Sequence, residues 1–236
     1  MRIAFDLDGV LADLETVLSE AAQAMFAESA PPGSDSPIAD DPNATLQAAS
    51  ADPTPDDEPV PPMVHQLSPA QQRRLWRHVL ETENFWETLN ETESGVIGRL
   101  AVLALERRWE VIFVTQRPSS AGDTCQLQSQ RWLARHGFAL PSVYVIRGSR
   151  GKVATALDLD VVVDDRPDNC LDVVLDSRAR AFLVWRGDPS APAPANARRL
   201  NIEVVQSVGD CLTMLTKEEA EKPSGLLDRL KRLIGS

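Results

Sequence analysis

Asp6 and Asp8 stand two residues apart at the end of the apolar run Arg2-Ile-Ala-Phe5, and Gly9 follows directly after Asp8. Side chains two apart on a strand project to the same face, so the two carboxylates leave the strand as neighbours. Like charges at that range resist joint ionisation. A shared proton, a cation, or both must compensate them. Such a pair suits a Mg²⁺ site in which one carboxylate attacks an electrophile and the other moves protons. A plain turn uses the same residue types. A calcium loop is excluded: counted from Asp6, the fifth and twelfth positions are Val10 and Val17, where that loop needs a ligand and a Glu. An Asp-x-Asp metal site of the sugar-nucleotide kind stays open on these two residues alone.

Three later positions carry chemistry of the same kind. The run Glu110-Val-Ile-Phe-Val114 ends in Thr115-Gln116-Arg117, and a hydroxyl and N–H at a strand end can hold a phosphoryl oxygen. Lys152 follows Arg147-Gly-Ser-Arg-Gly151 in the first turn of an expected helix. A cation there opposes the helix dipole, which an anionic ligand and nearby carboxylates would offset. Asp164-Asp165 follow Val161-Val-Val163. Two acids after a buried strand are costly unless paired or bound to a cation.

Taken in this order, the residues resemble the motifs of the haloacid dehalogenase superfamily. FDLDGVLAD is similar to its first motif, FVTQR to its second, GK to its third and VVVDDRPDN to its fourth. The resemblance covers residues 2–9 and 110–185. It implies a phosphomonoester hydrolase that acts on a small phosphorylated metabolite through an aspartyl-phosphate. Asp6 would be the nucleophile, and Asp8 the general acid and then the base. Thr115 and Gln116 would orient the phosphate, and Lys152 would neutralise it. Asp164 would be the main Mg²⁺ ligand with Asp6 and the backbone carbonyl of Asp8, and Asp165 a water-mediated one. Within the superfamily the chain looks most like the 5′(3′)-deoxyribonucleotidase group, on its early nucleophile, small cap, Phe85-Trp86 pair and Asp164-Asp165-Arg166 run. That implies a (deoxy)nucleoside monophosphate as substrate, with Phe85 and Trp86 able to stack on the base. Gln116 departs from the small residue, such as Ser, that members often carry there. A phosphomutase or phosphotransferase on the same scaffold is the alternative. A non-catalytic binding protein is a third reading, opposed by the intact set of reactive residues.

These side chains need a scaffold that gathers strand ends. Strand patterns fall at 2–6, 110–114, 142–146, 161–163, 181–185 and 202–205, with helical patterns between most of them. Continuous Val and Ile runs mean that both sheet faces are covered. The fold class is therefore α/β: a doubly wound, mainly parallel Rossmann-like sheet, whose ligands sit at the carboxyl ends of the strands. A helical cap is inserted after the first strand. Ser68 and Pro69 mark the start of one of its helices. The expected division is a hydrolase core of residues 1–13 and 96–216, a cap of 14–95, and a C-terminal tail helix of 217–236.

Composition bounds the rest. The 236 residues carry a net charge of −11. Residues 31–62 hold seven acids, no Lys or Arg, and nine of the 17 prolines. This segment cannot bury enough apolar surface to order itself, so it is expected to be a disordered insertion in the cap, and the rest of the chain carries −4. No basic stripe points to a nucleic-acid polymer. No apolar run approaches the ~20 residues that cross a bilayer, and the first one breaks at Asp6, so a cytoplasmic protein without a leader is expected. Three scattered cysteines and three scattered histidines form neither a disulfide framework nor a zinc site. In the tail, Leu226, Leu227, Leu230, Leu233 and Ile234 share one helical face, suited to docking on the core or on a second subunit in a homodimer.

Overall fold

The computed structural model describes residues 1–26, 67–186 and 197–221. Six strands form one parallel sheet: β1 (Arg2–Phe5), β2 (Glu110–Thr115), β3 (Ser142–Val145), β4 (Val161–Asp164), β5 (Arg180–Val184) and β6 (Glu203–Val205). Their order is β3-β2-β1-β4-β5-β6. β1 is central, with Phe5 opposite Phe113 on one side and Val163 on the other. The chain starts in the middle of the sheet, winds outward through β2 and β3, and returns to β4 on the opposite flank. The switch point of this order lies at β1, where a doubly wound sheet opens a crevice.

Alternate side chains of each strand enter two separate cores. Ile3, Phe5, Phe113, Val163 and Phe182 face helices α3 (Val96–Arg107), α4 (Cys125–Arg135) and α7 (Val208–Glu221). Ala4, Val114, Val162, Ala181 and Leu183 face α5 (Arg150–Ala156) and α6 (Pro167–Asp176). Each large apolar side chain so enclosed contributes about 1.5–3 kcal/mol. The unbroken apolar runs of the inner strands have this cause: both of their faces are covered, whereas the edge strand β3 exposes Tyr144 and Val145. Residues 208–216 of α7 were not expected to be helical. Its Val208, Cys211, Leu212 and Leu215, all buried, follow helical spacing. It runs on through Glu221, across the boundary expected at residue 216.

The cap contains α1 (Leu14–Phe26) and α2 (Pro69–Glu81), which pack on one another. Ser68 caps α2 as its sequence suggests. Its hydroxyl accepts from the Gln71 N–H, the Gln71 side chain accepts from the Ser68 N–H, and Pro69 follows at the first turn. Residues 27–66, which include the acidic insertion, and the apolar tail face at 226–234 lie outside the described residues. The chain leaves the core for the cap and returns by two strands of backbone that run side by side. The Asp13 N–H donates to the Asn90 carbonyl and the Thr92 N–H to the Leu11 carbonyl, both at 2.9 Å. Among the described residues no helix is long and apolar enough to cross a membrane.

Candidate active site

Asp6 extends β1 by one residue, since its N–H donates to the Val163 carbonyl at 2.9 Å. That bond sets Asp6 beside Asp164 at the end of β4. Both carboxylates are buried, Asp164 completely. Asp164 is heavily partnered: Oδ1 accepts from the Arg166 N–H at 2.9 Å, and both oxygens accept from Asn169 Nδ2 at 3.0 Å. After Leu7 the backbone turns sharply. The N–H groups of Leu11 and Ala12 both reach the Leu7 carbonyl, and Gly9 adopts a left-handed φ of +78°. A Cβ on Gly9 would overlap the Asp165 carboxylate, so glycine is required there on two counts. Asp8 lies at the start of this turn, and its carboxylate faces β2.

The cation against Asp6 is Arg150, not Lys152. Arg150 Nη2 donates to Asp6 Oδ1 at 2.5 Å and Nε to Asp164 Oδ2 at 3.4 Å, so the guanidinium bridges both buried acids. Its Nη1 is buried and has no hydrogen-bond partner among the described residues. Lys152 is exposed, and the contact it makes is a backbone one: its N–H donates to Ser149 Oγ, the N-cap of α5. The physical reason is helical rotation. Arg150 and Ala154, four apart, both face the sheet and are buried. Lys152, two residues on from Arg150, is turned about 200° away from it. The i, i+4 pairing of Arg150 with Ala154 is the sequence signal that identifies the inward cation.

A second unforeseen arginine holds Asp8. Arg117 grips it bidentately, Nε to Oδ2 at 2.8 Å and Nη2 to Oδ1 at 2.6 Å. The Thr115 hydroxyl, expected at an open rim, is fully buried and donates to Asp8 Oδ2 at 3.3 Å. Arg117 is buried in turn: Nη1 donates to Ser129 Oγ at 2.8 Å, and the guanidinium lies 4.8 Å over the Trp86 ring. Gln116 is half-buried beside it.

Phe85 and Trp86 are not available to stack on a substrate base. They are 3% and 1% exposed and meet edge to face with centroids 5.1 Å apart. Trp86 Nε1 donates to the Pro118 carbonyl, and its N–H to the buried Gln128 side chain. The pair fastens the cap's return linker to the core and supports Arg117 from beneath. The expectation failed because an aromatic pair reads the same in sequence whether its faces are covered or open.

Burial pushes the Asp6 carboxyl well above the usual carboxylate range. Arg150 opposes that shift, while the charges of Asp164, Asp165 and Asp8 add to it. Asp165 is pushed up to about 7, first by burial and then by Asp164. The cluster is thus short of positive charge. A carboxyl raised on folding lowers stability once it ionises, and the loss grows from the unfolded pKa of about 4 to completion above the folded value. For Asp165 that window ends near pH 7. Asp165→Asn is therefore expected to raise the Tm at pH 8, by about 2–4 °C for each kcal/mol relieved, and to raise it less at pH 5. Thermal melts without divalent cations check this, and equal shifts at both pH values would contradict it.

Solved structures of similar shape include several hydrolases and a putative beta-phosphoglucomutase from Thermotoga maritima, the last with a TM-score of 0.52 and 16% identity over 92% and 98% of the two chains. The chain superposes on a haloacid dehalogenase-like family hydrolase from Xanthomonas campestris with a TM-score of 0.51 and 14% identity, covering 94% of this chain and 96% of that one. It superposes on a HAD family hydrolase from Deinococcus radiodurans, bound to phosphate and sodium, with a TM-score of 0.53 and 15% identity over 94% and 98% of the two chains. A hydrolase from Pseudomonas syringae gives 0.50 and 15% over 92% and 99%. No protein-family model matches the sequence, and no curated protein matches it. The fold is the haloacid dehalogenase-like α/β fold.

Proposed function

We propose that the protein is a Mg²⁺-dependent phosphomonoester hydrolase whose nucleophile is Asp6. The observation that carries this reading is the bridge of Arg150 across Asp6 and Asp164, with the buried Nη1 amino group left over. A phosphate monoester is a dianion, and a bare carboxylate would repel it. The spare Nη1 of Arg150 suits a phosphoryl oxygen placed against Asp6, since charge-assisted bonds from arginine to phosphate are strong and directional.

The donor set also suits Mg²⁺. Asp6 and Asp164 offer hard carboxylate oxygens, and Asp165 lies next to them. Among the described residues no group of three or more His, Cys, Asp or Glu side chains is arranged as a metal cage. Mg²⁺ requires none: it keeps several waters and takes one or two carboxylates. Asp6, Asp164 and the Asp8 carbonyl would hold it, with Asp165 through water. Bound there, it would supply the positive charge the carboxylates lack and stabilise charge on the phosphoryl oxygens.

The chain's own residues then divide the work. An oxygen of Asp6 bonds to phosphorus as the bond to the substrate oxygen breaks. Asp8 gives its proton to the departing alcohol. Water then attacks phosphorus, passes its proton to Asp8, and releases phosphate as the bond to Asp6 breaks. Asp8 is ready again for the next leaving group. Arg117 and Thr115 engage both Asp8 oxygens, which orients it as the carboxylate that takes the proton from water, and one of these bonds must open while Asp8 carries that proton.

The substrate class is read more coarsely than the sequence resemblance suggests. The stacking residues that supported a nucleotide are buried, so the proposal is a small phosphorylated metabolite. The test is release of inorganic phosphate from p-nitrophenyl phosphate, nucleoside monophosphates and sugar phosphates, with and without Mg²⁺. Turnover that EDTA abolishes and Mg²⁺ restores is expected. No release from any of them would refute the proposal.

A further inference from the structure

Arg186 lies two residues beyond β5, with β4 between it and β1 in the sheet order. Its guanidinium nevertheless reaches the turn that follows Asp8. Nη1 donates to the Gly9 carbonyl. Nη2 donates to the Val10 carbonyl at 3.0 Å, the Thr92 hydroxyl at 3.2 Å and Glu93 Oε1 at 2.9 Å. The Thr92 hydroxyl donates to the same Val10 carbonyl at 2.7 Å, and the Thr92 N–H to the Leu11 carbonyl. Three consecutive carbonyls after Asp8 are thus held. Glu93 is itself fixed, because its carboxylate accepts the N–H groups of Val208 at 2.6 Å and Gly209 at 2.9 Å at the start of α7.

The turn is therefore clamped from two sides. Asp165 packs against the Cα of Gly9, and Arg186 holds the Gly9 oxygen. Arg186 makes no ion pair with Asp6, Asp8, Asp164 or Asp165 among the described residues; its ion pair is with Glu93. Any effect on chemistry must pass through the backbone that carries Asp8. A displacement of about 1 Å at a reacting group costs on the order of 10²-fold in rate.

Building on the phosphatase reading, we infer that Arg186 is a further positioning residue for Asp8: Arg117 and Thr115 hold the carboxylate, and Arg186 sets the peptide turn from which Asp8 donates its proton. Leaving-group chemistry separates this from a scaffold role. p-Nitrophenolate departs without a proton, whereas the alkoxide of glycerol 3-phosphate needs one. The experiment is kcat/KM of the full chain for both substrates, in wild type, Arg186→Met and Arg186→Lys, with Tm alongside. Arg186→Met is expected to lose about 10²-fold on the alkyl phosphate and several-fold less on p-nitrophenyl phosphate, with Arg186→Lys between. Equal losses on both substrates, or no loss on either, would overturn the inference and leave the phosphatase reading standing. A wild type that hydrolyses neither would overturn both. The milder Arg186→Lys carries the same comparison if the methionine variant does not fold.

Discussion

Asp6→Asn is expected to lower phosphatase turnover by about 10⁴-fold or more, as loss of a nucleophile does elsewhere, while the folded protein persists. The substitution is nearly isosteric. Asparagine retains an Oδ1 that can accept from Arg150 Nη2, so the bridge to Asp164 need not collapse. What it removes is the oxygen nucleophile, since an amide cannot form and release a phosphoryl ester in this way. Rapid quenching of wild type should trap an acid-stable, hydroxylamine-labile phosphate on the protein, and Asp6→Asn should trap none. Full activity in Asp6→Asn would refute the assignment of the nucleophile, whatever the substrate.

The second large effect separates two cations only two residues apart. Arg150→Met is expected to lower kcat/KM by about 10²–10³-fold, the loss typical of removing a preorganised charge donor. It should also cost about 3–5 kcal/mol of stability, because Asp6 and Asp164 would stay buried without their counter-charge. Lys152→Met should change stability by no more than about 0.5 kcal/mol, as exposed substitutions do, and leave kcat/KM near wild type. Steady-state kinetics and denaturant melts of both variants decide the matter. If Lys152→Met were the damaging change, Arg150 would be only a structural plug. Divalent cation should partly restore the stability of Arg150→Met, because both compensate the same carboxylates.

The positions of Asp6, Asp8 and Asp164 were legible because backbone geometry alone delivers them. Each sits at the carboxyl end of a strand, and strands with unbroken Val or Ile runs have to pair in a covered sheet. The Ser68 cap and the Pro69 start of α2 were legible for a similar reason: their hydrogen bonds are made within four residues. Arg117 was harder to see, since nothing in Thr115-Gln116-Arg117 states that the third residue folds back to β1. Trp86 was misread because its partners, Pro118, Gln128 and Arg117, lie more than 30 residues ahead.

Local periodicity therefore settled that the sheet is parallel and covered, and that Asp6 and Asp164 follow strands. Those features depend on bonds between near neighbours and on which faces must avoid water. The tertiary structure alone chose the counter-ions: Arg150 over Lys152 by helical phase, Arg117 through a clasp 109 residues long in sequence, and Arg186 from across β4. A charge buried in a low-dielectric site is compensated by whichever opposite charge packing brings within reach, and packing between distant segments is not written in any one of them.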